Sequence, residues 1–249
     1  MALAASVADP YKKQELIRLS IQACLIVQDA VRNLADGLNS GLSIALLTVI
    51  DCEKELDRID QYIDEHIGHA ILHASSKDIR ELLACLKFTI DLERIGDLLG
   101  AAAVRVRSLT SPLNKGDVNE LVQMLLVLDK MLETIYRAYC SRSLEAALSV
   151  LRMDAEIDGM RNAIFVRHLE ENTKDNSYKV NLLMMTQCLE RAGDHAKNLA
   201  EEVCHLVEGH SVRHTSAEDI DEDEFIPSVP LEVSSRKKAR SSVARRRTR

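Results

Sequence analysis

A five-residue polar signature occurs twice in this chain, as Glu93-Arg94-Ile95-Gly96-Asp97 and Glu190-Arg191-Ala192-Gly193-Asp194, 97 residues apart. A carboxylate pair repeated at that distance predicts a tandem repeat with the same site in each half. Residues i and i+4 of a helix share one face, so Glu93 and Asp97 point together, as do Glu190 and Asp194. Paired like charges repel, and they are tolerated when they face water, an arginine or a bound cation. Arg94 and Arg191 read as partners for the neighbouring carboxylates. Gly96 and Gly193 each cost about 1 kcal/mol relative to alanine inside a helix, a loss recovered by close approach of another backbone.

The rest of the sequence fits helices. Gly and Pro are few, Trp is absent, and Leu, Ala, Glu, Arg and Ile dominate. Apolar periodicity marks six segments, approximately 11–37, 42–67, 76–109, 116–140, 142–170 and 175–208. The spacing predicts an all-α body of two tandem antiparallel three-helix bundles, packed against each other or end to end. Pro112, within Thr110 to Gly116, separates the halves, because it lacks a donor and disfavours helical geometry at Ser111. The expected units are residues 8–111, 112–208 and a tail at 209–249. That tail runs from the acidic stretch Glu218–Glu224 to basic clusters at 236–240 and 245–249, a composition that predicts disorder.

Several function classes are excluded or set aside. No stretch approaches the roughly 20 apolar residues of a membrane span, and Met1–Val7 lacks the basic start and apolar core of a secretory leader. The six cysteines have no Cys-x-x-Cys spacing and read as buried free thiols of a reducing cytoplasm. No glycine-rich phosphate loop is present, which argues against nucleotide hydrolysis. The formal charge of −7 becomes −9 for the body once the net +2 of residues 209–249 is removed, so broad nucleic-acid binding is not expected. The basic tail end leaves contact with nucleic acid or an anionic membrane open, although no helix-turn-helix or zinc element accompanies it.

The second signature is the richer one, since Asn198 continues the i,i+4 ladder and Glu201 returns to nearly the face of Glu190. An exposed charged stripe is the plain alternative. Facing carboxylates are expected from the middle helices, where segment two carries Asp51, Glu55, Asp57 and Asp60, and segment five carries Asp154, Glu156 and Asp158. Asp57 and Asp154 repeat the 97-residue offset, with gaps in either half able to shift the true match. Such oxygen-rich clusters suit divalent or trivalent cations, whether magnesium, calcium, manganese, zinc or iron. His66, His69 and His73 have ligand-like spacing, but Gly68 and the approaching turn favour a polar helix end. His195 points about 100° from Asp194 and reads as a surface or inter-helix residue.

The repeated signatures, above all Cys188 to Glu201, resemble the PhoU family of phosphate-signalling proteins, and the resemblance covers most of residues 11–208. Asp78-Ile79-Arg80 matches the family's Asp-Leu-Arg lead-in with Ile for Leu. The resemblance implies a cytoplasmic, metal-binding adaptor that restrains phosphate uptake and the phosphate-starvation response. It would link the ATPase subunit of a phosphate ABC transporter to a sensor histidine kinase, and homodimers or other homo-oligomers are expected. It maps the first motif's ligands onto Glu93 and Asp97 and the second's onto Glu190 and Asp194. Two departures stand out. Ala74 to Lys77 lack a proline often found before the lead-in, and Leu98, Leu99 and Gly100 stand where repeat two has His195, Ala196 and Lys197, which predicts a weaker or absent site in repeat one. A metal-dependent enzyme is the main competing function, lacking the Glu-x-x-His elements of di-iron bundles. A metal-free structural protein is the other.

Overall fold

A computed structural model of the protein describes residues 10–170 and 176–209. The expected tail therefore lies, from residue 210 on, outside the described residues. Six helices follow one another with short connections: α1 (Pro10–Ser40), α2 (Ser43–Leu72), α3 (Ser76–Ser108), α4 (Lys115–Ser141), α5 (Leu144–Glu170) and α6 (Asn176–Glu208). The described residues contain no strand.

Local chemistry sets the helix ends. Gly41, at φ 67°, closes α1 by donating to the Gly37 carbonyl at 3.0 Å, the left-handed cap that glycine adopts without strain. Ser75 caps α3 by accepting from the Asp78 N–H, and Asn114 caps α4 by accepting from the Asp117 N–H at 2.9 Å. Leu109–Asn114 connect the two sets of three helices across Pro112. One boundary differs from expectation. Gly68 does not end α2, which continues to Leu72, because that glycine faces open space and asks nothing of its neighbours.

Each half is a three-helix bundle, and the halves lie side by side rather than end to end. α1, α2 and α3 pack mutually in the first half, and α4, α5 and α6 in the second, while α3 against α6 and α1 against α4 join them. One continuous apolar core results, running from Leu16 and Val27 of α1 through Phe88 and Leu92 of α3 to Leu125, Leu189 and Leu199 of the second half. Phe88 stacks on Tyr139 at 4.3 Å across the seam. α2 and α5 touch only their own halves, so whatever they build with α3 or α6 is built within one repeat. All six cysteines are free; Cys24, Cys85 and Cys204 are buried, and burial pushes the Cys24 and Cys204 thiols up to about 12. Cys140 departs from the expected pattern by being exposed.

Candidate metal centre

The two signature glycines do the same work in each half. A Cβ on Gly96 would collide with the Leu56 side chain of α2, and one on Gly193 would meet Ile157 Cδ1 of α5 at 3.1 Å. The missing side chain lets the outer helix lie close to the signature helix. It also fixes the true register of the repeats. Leu56 and Ile157 are 101 residues apart, so the outer helices match at 101 while the signatures match at 97. Asp57 therefore corresponds to Asp158, and Asp154 corresponds to Glu53. The pairing of Asp57 with Asp154 expected from the common offset is corrected accordingly, because the α2–α3 and α5–α6 segments differ in length by four residues.

In the first half, Asp57, Glu93 and Asp97 each offer a carboxylate oxygen, and the three oxygens lie within 4.8 Å of one another. Two oxygens facing each other across a cation at about 2.4 Å are separated by that much, so the spacing fits a hard ion. Asp60 adds a carboxylate whose Oδ1 is buried without a hydrogen-bond partner. Glu53 reaches in from the preceding turn of α2, its Oε2 occupying the space that a Cβ on Gly100 would need. Burial, and then the neighbouring carboxylates, raise the pKa of Glu53, Asp60 and Glu93. Exposed Arg94 lies 3.4 Å from both Glu93 and Asp97, as the sequence led one to expect, and Lys54 offsets part of the Glu53 shift. Every donor in the cluster is oxygen, which favours magnesium, calcium, manganese or ferric iron over softer ions.

The second half is built from the same pieces with different charges. Burial and neighbouring carboxylates again raise the pKa of Glu190 and Asp194. Here, however, cations of the protein are already inside. Lys197 occupies the position of Gly100 and donates to Asp154 at 2.7 Å. Arg161 stands where the first half has Asp60; it donates to Gln187 at 3.0 Å, and the Gln187 amide in turn donates to Glu190. Among the described residues, no second group of three potential metal-binding side chains matches the Asp57–Glu93–Asp97 cluster. The geometry thus brings three carboxylate oxygens together in the first half, whereas the sequence points to the second signature as the richer one.

The remaining candidates fall elsewhere. Asn198 leaves the ladder, donating to Asp91 of α3 at 3.4 Å, because each four-residue step drifts by about 40° around the helix. His195 joins it there, 2.8 Å from the same carboxylate, so it is an inter-helix residue at the seam. Glu201 stays on the signature side, close enough to Lys197 to help raise the pKa of that amine. Arg191 is exposed beside Glu190 and counteracts part of its upward shift. His66 stacks on Tyr62, and His69 packs edge-on against His73, so these rings serve the end of α2. Sequence reading missed Glu53, although its position four residues before Asp57 was a usable signal.

The fold and site define a class: a tandem helical-bundle protein with an acidic signature on the third helix of each repeat. A family model for the PhoU domain matches residues 21–106 and again 121–203, and the chain belongs to that family. It is 31% identical over 197 residues to the "Phosphate-specific transport system accessory protein PhoU homolog" of Pseudomonas aeruginosa, covering 76% of this chain and 78% of the relative. Its identity to the protein of the same description from Rhizobium meliloti is 30% over 194 residues, covering 74% and 78%. Among solved structures, the phosphate transport system regulatory protein PhoU from Streptococcus pneumoniae superposes with a TM-score of 0.73 at 20% identity, covering 81% of this chain and 98% of that one. PhoU from Pseudomonas aeruginosa gives 0.71 at 24% identity, covering 80% and 99%.

Proposed function

We propose that this protein is an accessory regulator of a phosphate-specific transport system that restrains phosphate uptake and starvation signalling when phosphate is plentiful. It acts by binding, without catalytic turnover. Its partners are the ATPase subunit of a phosphate ABC transporter and a sensor histidine kinase, placing it in the cytoplasm, and it works as a homodimer or other homo-oligomer. The observation that carries this reading is the match of the PhoU domain to both halves, together with relatives named as accessory proteins of phosphate-specific transport. No helix among the described residues is long and apolar enough to cross a membrane, consistent with a protein that meets a transporter from one side.

In this reading the Asp57–Glu93–Asp97 cluster holds a divalent or trivalent cation, with Asp60 and Glu53 completing the negative surroundings. Bound there, the cation would neutralise the cluster and tie α2 to α3. The three converging carboxylate oxygens and the unpartnered Asp60 oxygen support it, since both mark oxygen donors that the first half leaves without a partner cation among them.

A strain lacking the protein should derepress phosphate-regulated transcripts in phosphate-rich medium, and the intact protein should recover transporter and kinase subunits in pull-downs. Normal repression in that strain, with neither partner recovered, would reject the adaptor reading.

A further inference from the structure

The end of α2 carries metal-binding chemistry of a different kind from the carboxylate cluster. His69 and His73 stand four residues apart, the spacing that puts two side chains on one face of a helix. That spacing has force only if the helix is unbroken between them, and α2 runs past Gly68 through Leu72, with His73 as its capping residue. The two rings meet edge-on, their centres 4.9 Å apart. Two imidazoles that share one metal, each nitrogen about 2.1 Å from it, have ring centres about 4.5–5.2 Å apart for angles between square-planar and tetrahedral. The rings therefore already stand at the separation that one ion would impose.

A cavity of about 390 Å³ opens beside them, bounded by His69, His73, Lys12, Lys13, Ser75 and Asp78. It has room for an ion and several waters. Its charges are largely paired. Lys12 is engaged by Glu15 at 3.1 Å and by the Tyr62 hydroxyl at 2.7 Å, and Lys13 by Glu81 at 2.5 Å and by Asp78. The negative C-terminal end of α2 lies beside the positive start of α3, whose first turn is capped by Ser75 and carries Asp78. With the field so balanced, binding would rest on the imidazole lone pairs. Those select zinc, nickel or copper over the magnesium, calcium or manganese that oxygen donors favour. Among the described residues no third His, Cys, Asp or Glu joins the pair in a ready-made group of ligands, so solvent would complete the coordination. His66 stands apart, its Nδ1 donating to the Tyr62 carbonyl at 2.7 Å and its ring stacked on Tyr62.

We propose that His69 and His73 form a two-imidazole site for a late divalent transition metal, separate from the oxygen cluster and about 18 Å further along α2 than Asp57. By bridging positions i and i+4, the ion would hold the last turn of α2 helical.

Calorimetric titration of the full chain with nickel, in excess magnesium to occupy the oxygen donors, tests this. If the two rings share one ion, His69→Gln and His73→Gln should each weaken binding about tenfold or more, and the double substitution should cost little more than either alone. As a second readout, nickel should slow amide hydrogen exchange at residues 69–73 in the wild-type chain and leave it unchanged in the double variant. Losses of twofold or less for the single substitutions would mean independent imidazoles and would overturn the proposal. Nickel binding undiminished by the double substitution, and held instead by His210 and His214, which share the spacing, would do so as well. Exchange at 69–73 that is indifferent to nickel would also reject it.

Discussion

The two halves of this protein place the same carboxylate pair on the same helix face and then treat its charge in opposite ways. In the second half Lys197 lies on Asp154 and Arg161 stands beside Glu190, so the protein carries its own counter-cations into the cluster. In the first half glycine replaces that lysine and Asp60 replaces that arginine, leaving positive charge on the exposed rim, where Arg94 lies beside Glu93 and Asp97 and Lys54 acts on Glu53. Two substitutions thus separate a cluster that holds a lysine and an arginine of its own from one in which three carboxylate oxygens converge. A repeated motif is therefore a poor guide to a repeated site, because residues one turn away decide its net charge.

Ligand substitutions give the largest expected contrast. Asp97→Ala should weaken cation binding at least about tenfold, a loss no smaller than that seen when supporting residues of metal sites are removed. Asp194→Ala should change it little. Calorimetric titration with manganese checks both, and a larger loss for Asp194→Ala would restore the order expected from sequence.

Exchanging the compensating residues should move the property between halves. Gly100→Lys should place an ammonium against Glu53 and abolish tight binding in the first half. Lys197→Gly should release Asp154 and create binding in the second, at a helix cost of about 1 kcal/mol. Failure of both exchanges, with folding intact by circular dichroism, would separate the metal question from the lysine.

The glycines should differ in stability terms. Gly96→Ala forces its Cβ into Leu56, whereas Gly193→Ala meets Ile157 at a tight but yielding 3.1 Å. Denaturant titration should show the first losing about 1–3 kcal/mol, in the range of overpacked cores, and the second less. Equal losses would mean that the two interfaces are equally tight in solution.

The pH dependence is the smallest effect. Glu53, Asp60 and Glu93 have folded-state pKa values above their unfolded ones, so they oppose folding fully above the raised value and cease to do so below the ordinary carboxylate range. Cation-free protein should gain from these groups as pH falls through their raised range toward that of ordinary carboxylates. The rise in Tm produced by manganese should shrink over the same interval, because protons and metal compete for the same oxygens. Asp78 works the other way: its hydrogen bond from Lys13 holds its pKa down to about 2, and that contribution is lost only in stronger acid. A metal-induced Tm shift independent of pH would place the ion elsewhere.

Most of the architecture was legible in the sequence, because apolar periodicity and turn residues are local signals. The six segments fall within a few residues of the helices, and the misjudged end of α2 arose from treating Gly68 as a breaker where no neighbour constrained it. The acidic pair and its glycine were legible for the same reason. What sequence could not supply was the register of α2 on α3 and of α5 on α6, which is set by how Leu56 and Ile157 seat against the glycines. Glu53 was lost with that register, and Gly100 was read as a departure from the motif although it makes room for Glu53. Asn198 was placed by a ladder that ignores the slow drift of the helical face, and that drift carries it to Asp91.

Anomalous scattering from crystals grown with manganese measures the central claim most directly. The account predicts a peak among Asp57, Glu93 and Asp97, with no comparable peak beside Glu190 and Asp194. A peak confined to the second half, next to Lys197, would contradict it.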